Sequence, residues 1–327
     1  MTTRPHAVAP PITAHWGRLR RPGPLVSVSL LYLGLATGVM IWRGVSVSPD
    51  YLLLLMVPVA LLSGRFLRFL GDWVPFVAIF LGWEAMRGIA PKTGFAPHVG
   101  DLAAAERWLF GGHLPSASLQ GWIDHGASGT AVDYLATIAY FCHFVIPIAV
   151  AMVLWLVDRT QFLRYTTALM GMALATFAVF LLLPSAPPWY AQQHGIIDGT
   201  HKIIGSTLPS AISPYYNSLN PNPVAAMPSL HAAFPFLAFL ALRRVYPRGA
   251  WIALAWSFVV WFSVVYLGEH YAIDVFAGIL TAALSWAVLM RVVVPRVRLL
   301  RGDPLTEEPP EEPPEAAEEA VEQVAVA

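Results

Sequence analysis

The chain has 327 residues, of which 57% are hydrophobic and 12% are charged, and its mean hydropathy is +0.59. These values exclude an ordinary soluble globular protein and indicate a chain that crosses a membrane several times. The equal counts of 20 basic and 20 acidic residues hide an asymmetry, because eight of the acids are glutamates between positions 307 and 322. Residues 1–301 carry 20 basic and 11 acidic groups, a balance of +9.

Apolar runs approach the length of about 20 residues that a helix needs to cross the hydrocarbon core of a bilayer. They predict an all-α, polytopic membrane helix bundle of about eight transmembrane helices, near Leu25–Trp42, Tyr51–Leu70, Trp73–Ala90, Asp133–Val157, Arg164–Leu183, Ser229–Tyr246, Ala250–Leu267 and Tyr271–Val294. Residues 1–24 are predicted to be a cytoplasmic N-terminal segment, and 25–301 the membrane domain. The Pro/Glu-rich residues 302–327 have too little apolar surface to fold and are predicted to be a disordered cytoplasmic tail.

Loop charges predict the orientation of these helices. With the N-terminus inside, fifteen Lys and Arg residues fall on the inner side and five on the outer side, as the positive-inside rule requires. We therefore expect an integral protein of the cell membrane, which is the inner membrane in many bacteria, with both termini in the cytoplasm. The single cysteine, Cys142, excludes an intrachain disulfide.

Two segments on the predicted outer side are longer than turns. The first, residues 87–130, contains ERWLFGGHLPSASLQGWI, whose aromatic and apolar spacing favours a helix lying in the membrane interface. The second, residues 184–228, is rich in proline and aromatic residues and is expected to form a stiff cap.

Polar residues gather at the outer ends of the last three predicted helices. The stretch MPSLHAAF places Ser229 and His231 at the head of an apolar helix, and YLGEHYAIDVFAG places His270 and Asp274 at the start of another. One helical hairpin joins them, so both stretches are expected at the same face. A carboxylate one turn from an imidazole can orient it, and a second imidazole can protonate a leaving oxygen. Ser229 fits as a helix cap, whose neighbouring amides can seat a phosphoryl oxygen.

Two other interpretations of these residues stay open. Histidines at a membrane boundary often serve packing or the interface, and a His-x-x-x-Asp pair with a second His can bind a metal. Three ionisable groups at one depth of so apolar a chain are costly without a function. Apart from Glu269, no further acidic or Cys residue is close to these motifs in sequence. The sequence therefore favours a catalytic site without a metal.

The same residues resemble the motifs of the type 2 phosphatidic acid phosphatase superfamily. Its second motif is Pro-Ser-x-His, here Pro228 to His231, and its third ends in His-x-x-x-Asp, here His270 to Asp274. WEAMRGIAP, ERWLFGGHLP, YFCHF, PSAPPWY and AAMPSLHAA look like the branch of inositol phosphorylceramide and sphingomyelin synthases, in its bacterial members, over roughly residues 70–285. The resemblance implies a catalytic domain whose core is six helices.

The chain departs from the phosphatase branch at its basic residues. That branch has an Arg six residues before the third-motif His, where this chain has Val264, and its first motif of Lys followed by Arg-Pro is missing. A phosphate group then needs other partners. Arg87, at the outer end of a helix, is the first candidate and Lys202 the second. Further candidate substrate-binding residues are His143 of YFCHF and the Trp189 and Tyr190 of PSAPPWY.

These observations predict an integral membrane lipid phosphotransferase of the inositol-phosphoryl type. His270 would attack the phosphorus of a phospholipid donor and form a phosphohistidine, Asp274 would support it, and His231 would move the proton to and from the lipid or polyol hydroxyl. The scheme requires no cofactor and no nucleic acid, and it places the site on the outer face. A phosphatase with the same residues and a non-enzymatic lipid-binding or transport protein are the alternatives. The sequence does not indicate an oligomeric state.

Overall fold

The computed structural model describes residues 23–42, 49–87, 94–123, 129–207 and 223–302. These residues form helices and loops, and β-sheet is absent among them apart from isolated bridges. The predicted all-α fold is therefore confirmed for this part of the chain. The predicted N-terminal segment up to residue 22 and the predicted tail from residue 303 onward lie outside the described residues.

Apolar helices lie near the predicted positions, although their ends differ and one predicted span is divided between two helices. They are α1 (Pro24–Trp42), α2 (Pro49–Leu62), α3 (Phe66–Arg87), α6 (Ala131–Val157), α7 (Arg159–Leu182), α10 (Leu230–Leu242), α11 (Pro247–Tyr266) and α12 (Ala272–Val288). A π-helical turn, Leu289–Val293, and a 3₁₀ turn, Val294–Arg296, continue α12.

Four helices of the described chain are long and apolar enough to cross a membrane. They are α3 over Phe66–Trp83, α7, α11, and α12 with its extension to Arg296, and the bent helix α6 makes a fifth. With its 13 residues, α10 spans only about 20 Å at 1.5 Å per residue, less than the hydrocarbon core of a bilayer. The chain is thus an integral membrane protein, and four or five of its described helices are long and apolar enough to be complete spans.

The second predicted span, Tyr51–Leu70, is wrong as a single helix. The chain leaves α2 after Leu62, turns at Gly64 with a φ of +66°, and begins α3 at Phe66. A left-handed φ is inexpensive for glycine and ends a helix. The apolar residues on both sides of this turn hid the break from a count of hydrophobic residues.

Helix α6 bends by 46° between its halves Ala131–His143 and Val145–Val157. Pro147 lies inside the helix, where its ring clashes with the carbonyl of His143 and its nitrogen cannot donate. The proline thus explains the bend, and the bend begins directly after His143.

Helix α10 lies at the centre of the bundle. It packs against α6, α7, α11 and α12, and most of its side chains, including Ala232, Phe234 and Leu237, are buried. A helix that is apolar on every side is stable when other helices surround it. The polar head of α10 is consequently presented inside the protein rather than to lipid.

Short helices and loops cover the end of the bundle where α10 begins. The short helices are α4 (Gly100–Leu109), α5 (Pro115–Gly121), α8 (Pro188–Gln193) and α9 (Ile204–Thr207), while α13 (Arg298–Arg301) lies at the end of the described chain. Backbone hydrogen bonds join the segment just before α10 to two other segments. Ala226 N donates to Ser185 O at 3.0 Å, and Ala186 N donates to His98 O at 3.0 Å. These bonds fix the chain that leads into Ser229.

Candidate active site

The structure brings His231 and His270 into direct contact. His231 lies in the first turn of α10, and His270 lies in the loop that joins α11 to α12. The Nδ1 atom of His231 is 3.0 Å from the Nε2 atom of His270. His270 is buried, whereas the His231 ring is half-buried. The out-and-back hairpin of α10 and α11 produces this contact, as the helix order predicted.

Asp274 stands on the other side of the His270 ring. Its Oδ2 atom is 3.5 Å from Nδ1 of His270 and accepts a hydrogen bond from the backbone N–H of Tyr271 at 2.9 Å. The Asp274 side chain is fully buried. A carboxylate on this side favours the tautomer of His270 that carries its proton on Nδ1, which leaves the Nε2 lone pair facing His231.

Ser229 caps α10 and joins it to α12. Its Oγ atom accepts from Ala232 N at 3.3 Å, and its backbone N–H donates to Asp274 O at 3.0 Å. The predicted cap is therefore present, and Ser229 ties together the helix starts that carry His231 and Asp274. The Ser229 side chain is buried and engaged with its own helix.

Helix α6 adds two rings to the histidine pair. The ring of Tyr140 stacks on His231 with centroids 4.6 Å apart, and the His143 ring lies 4.0 Å from the His231 ring. His143 Nδ1 also bonds to the carbonyl of Tyr140. The structure thus places the predicted residue His143 beside His231, at the bend of α6.

Lys202 and Trp189 lie beside Glu269, the residue before His270. The ammonium of Lys202 sits 4.1 Å above the Trp189 ring, and the indole N–H of Trp189 donates to Glu269 Oε2 at 3.1 Å. Burial raises the pKa of Glu269, and the charges of Lys202 and His270 oppose that rise. Lys202 thereby brings a positive charge next to the His270 loop.

The ring contacts of Tyr190 do not include His231 or His270. They are with Trp189 and with His194, on which Tyr190 stacks at 4.1 Å. The backbone of Arg87 ends α3, and its side chain lies outside what the structure describes. The assignment of Arg87 as a phosphate partner stays a prediction.

Sequence reasoning missed a carboxylate, Glu106, behind Asp274. It lies on α4 with 0% of its surface exposed, and its Oε2 accepts from the backbone N–H of Ile273 at 3.2 Å. Burial raises the pKa of Glu106 to about 7, the bond from Ile273 opposes the rise, and the charge of Asp274 adds to it. A lone acid in the amphipathic run ERWLF was the available signal.

This arrangement suits transfer of a phosphoryl group through a histidine. One imidazole has a nitrogen directed at a second imidazole and its other nitrogen supported by a carboxylate, which is the pattern of a nucleophile, its orienting group and a proton donor. Within the described residues, no group of three or more His, Cys, Asp or Glu side chains is arranged to hold a metal ion.

Comparison with known proteins agrees with these observations. The chain is 29% identical over 235 residues to the phosphoinositol dihydroceramide synthase of Bacteroides thetaiotaomicron, covering 65% of this chain and 74% of that protein. It is 28% identical over 160 residues to the inositol phosphorylceramide synthase catalytic subunit aur1 of Schizosaccharomyces pombe, covering 45% of this chain and 36% of that protein. No solved structure matches the chain at a significant level.

The family comparison covers the histidines and the carboxylates of the candidate site. The model of the PAP2 superfamily matches residues 100–288, which include α4, both histidines and Asp274. The resemblance to type 2 phosphatidic acid phosphatases and their inositolphosphotransferase branch is confirmed. The chain is a member of the PAP2 superfamily.

Proposed function

We propose that this protein is a membrane lipid phosphotransferase that moves an inositol-phosphoryl head group from a phospholipid donor to the hydroxyl of a lipid or polyol. The observation that carries the proposal is the contact of His270 Nε2 with His231 Nδ1 at 3.0 Å, with Asp274 at the opposite nitrogen. The two relatives are named as synthases of lipids that combine an inositol phosphate with a ceramide. These names support the inositol head group and suggest a ceramide-type acceptor.

In the first step, the donor phosphorus takes the place of the His231 N–H in front of His270 Nε2. The lone pair of Nε2 forms the N–P bond while the P–O bond to diacylglycerol breaks, and His231 gives a proton to the departing oxygen. Asp274 stabilises the positive charge that develops on the His270 ring. The half-buried His231 ring can yield this position more easily than the buried His270 ring can.

In the second step, the acceptor hydroxyl replaces diacylglycerol. His231 takes the hydroxyl proton, the oxygen attacks phosphorus, and the N–P bond breaks to regenerate His270. Negative charge on the phosphoryl oxygens needs nearby donors and cations in both steps. The amides at the start of α10, Lys202 and Arg87 are the groups that we assign to this role.

The apolar helices and the loop charges also predict how the protein is oriented in the membrane. We infer that all eight apolar helices cross or enter the bilayer, that six of them form the catalytic core, and that both termini face the cytoplasm. The loop charges support this orientation. The donor head group would then enter the site at the outer face, between the bundle and the short helices α4, α5 and α8 that cover it.

Product analysis of purified protein in lipid vesicles tests the proposal. With phosphatidylinositol carrying labelled inositol and an added ceramide or dihydroceramide, we expect the label to move to the ceramide lipid and diacylglycerol to appear in equal amount. His270→Ala should abolish both products. Label released as water-soluble inositol phosphate in the presence of acceptor would instead indicate a hydrolase that uses water as its acceptor, and unchanged lipids with every donor would contradict an enzymatic role.

A further inference from the structure

Glu106 reaches the catalytic helix from a distant part of the chain. It precedes Ile273 by 167 residues in sequence. Its Oε2 atom accepts a hydrogen bond from the backbone N–H of Ile273 at 3.2 Å. Ile273 belongs to the first turn of α12, directly before Asp274. The amides of a first helical turn have no partners within the helix, so a carboxylate there stabilises the turn.

Two carboxylates therefore share the first turn of α12. Asp274 accepts from the N–H of Tyr271 at 2.9 Å, and Glu106 accepts from the N–H of Ile273. The Asp274 oxygen that binds Tyr271 N is also the one that lies 3.5 Å from His270 Nδ1. A shift of this turn would move that oxygen relative to the histidine ring.

The Glu106 carboxylate is enclosed by protein and only partly satisfied by hydrogen bonds. Its side chain is fully buried, and its second oxygen, Oε1, has no hydrogen-bond partner among the described residues. The buried hydroxyl of Tyr271 likewise has no hydrogen-bond partner within the part of the chain that the structure describes. A buried carboxylate with one unsatisfied oxygen is costly, and a site that depends on the helix turn behind it would justify that cost.

We propose that Glu106 is a positioning residue of the transferase site, which holds the first turn of α12 through Ile273 and so sets Asp274 against His270. This inference rests on the proposed function. Glu106 contacts the backbone of the catalytic helix, and it acts on the reaction through Asp274. Nothing in the two motifs that carry the histidines identifies it.

Ionisation of Glu106 should control how strongly it holds the turn. A hydrogen bond to a carboxylate is roughly twice as strong as one to a neutral acceptor, and burial raises the pKa of Glu106 to about 7. The titratable groups that act here are Asp274 and Tyr271 at the start of α12 and Arg107 on α4, whose charge acts on Tyr271. Protonation below about pH 7 should loosen the turn.

The ratio of wild-type kcat to Glu106→Gln kcat, measured from pH 5.5 to 8.5, tests the inference. Glutamine keeps the volume and a neutral acceptor for Ile273 N, so it resembles protonated Glu106. We expect the wild type to be at least fivefold faster above pH 7.5, the two to converge below pH 6, and KM for the donor to change less than twofold. Histidine ionisations that are common to both proteins cancel in the ratio.

Two further variants separate positioning from folding. Asp101→Asn removes a charge from the exposed side of the same helix, where its side chain is 71% accessible and pairs with the exposed His98, and its ratio should not rise above pH 7 as that of Glu106→Gln does. Glu106→Ala, which also loses the acceptor, should be slower than Glu106→Gln at all pH values.

A second measurement does not depend on turnover. Because the pKa of Glu106 is raised from 4.5 to about 7 on folding, its contribution to stability is present below pH 4.5 and is lost as pH rises through about 7. The melting temperature of Glu106→Gln relative to wild type should therefore rise with pH. A variant that is more stable yet slower at pH 8 is the result expected of a positioning residue.

The outcomes separate this inference from the proposed function. A kcat ratio that is unity, or that is constant from pH 5.5 to 8.5 in an active wild-type enzyme, overturns the role of Glu106 alone. A wild-type protein that transfers no head group with any donor overturns the proposed function on which this role rests.

Discussion

Gly278 of α12 lies so close to the backbone of Ser229 that a Cβ atom at this position would be 2.2 Å from the Ser229 carbonyl oxygen. The same Cβ would be 3.2 Å from Cβ of Ala232. The absence of a side chain therefore lets the start of α10 approach α12, and this approach permits the bond from Ser229 N to Asp274 O. The distance between the helices that carry His231 and Asp274 is set at this glycine.

Gly278→Ala should consequently damage the site. Crowding against backbone atoms costs about 1–3 kcal/mol or more, and the helices must separate to relieve it. We expect transfer activity to fall more than tenfold in protein that still reaches the membrane. Gly171→Ala on α7, where a Cβ meets no atom within 4 Å, is the matched control and should retain activity. Equal activity of the two variants would show that the close approach is unimportant.

Asp274→Asn tests the support of His270. Asparagine keeps the volume and can still accept from Tyr271 N, but it lacks the charge that stabilises a cationic His270 ring. Groups that assist proton transfer contribute about 10²–10⁴-fold to rates, and we expect kcat to fall within this range. Immunoblotting of membranes should find normal amounts of the variant. Wild-type turnover at equal protein would refute the assigned role.

Residues that are close in sequence or joined by one hairpin were predictable, whereas contacts between distant elements were not. The pairing of His231 with His270 follows from two helices that run in opposite directions, so the order of apolar runs was sufficient. The contact of Glu106 with Ile273 joins residues 167 positions apart and depends on how α4 folds over the bundle. The stacking of Tyr140 on His231 depends on the rotation of α6, which a uniformly apolar helix does not reveal.

The missed break between α2 and α3 has a related cause. Hydrophobicity marks residues that avoid water, but it does not mark where the backbone turns. Gly64 and its two polar neighbours interrupt the apolar run for only three residues, Ser63 to Arg65. The same limitation applies to Gly278, whose importance comes from a neighbouring backbone in space.

Arg87→Lys tests the predicted phosphate partner. A guanidinium can hold two phosphate oxygens in a planar fork, which an ammonium cannot reproduce. If Arg87 binds the transferred phosphate, the lysine variant should lose at least tenfold in kcat/KM despite its retained charge. Arg68→Lys, at the exposed opposite end of the same helix, should behave as wild type. Near-normal kinetics of Arg87→Lys would leave Lys202 as the candidate cation.

A C-terminal truncation that removes α13 should destabilise the protein, whereas one that ends after α13 should not. Arg164 of α7 donates to the carbonyls of Leu300 at 2.8 Å and Arg301 at 3.3 Å, so α13 is bound to the bundle. Removal of residues 303–327 should leave transfer activity and melting temperature unchanged. Removal of residues 297–327 takes away both acceptors, and we expect a lower melting temperature. A loss of activity in the shorter truncation would show that the acidic tail takes part in catalysis.

The covalent intermediate on His270 can be observed directly by mass spectrometry. Enzyme mixed with phosphatidylinositol in the absence of acceptor, quenched at alkaline pH and digested, should yield a peptide with inositol phosphate on His270. Addition of acceptor before the quench should remove the adduct, and Asp274→Asn should form it more slowly. An adduct on His231, or active enzyme that never carries one, would contradict the account.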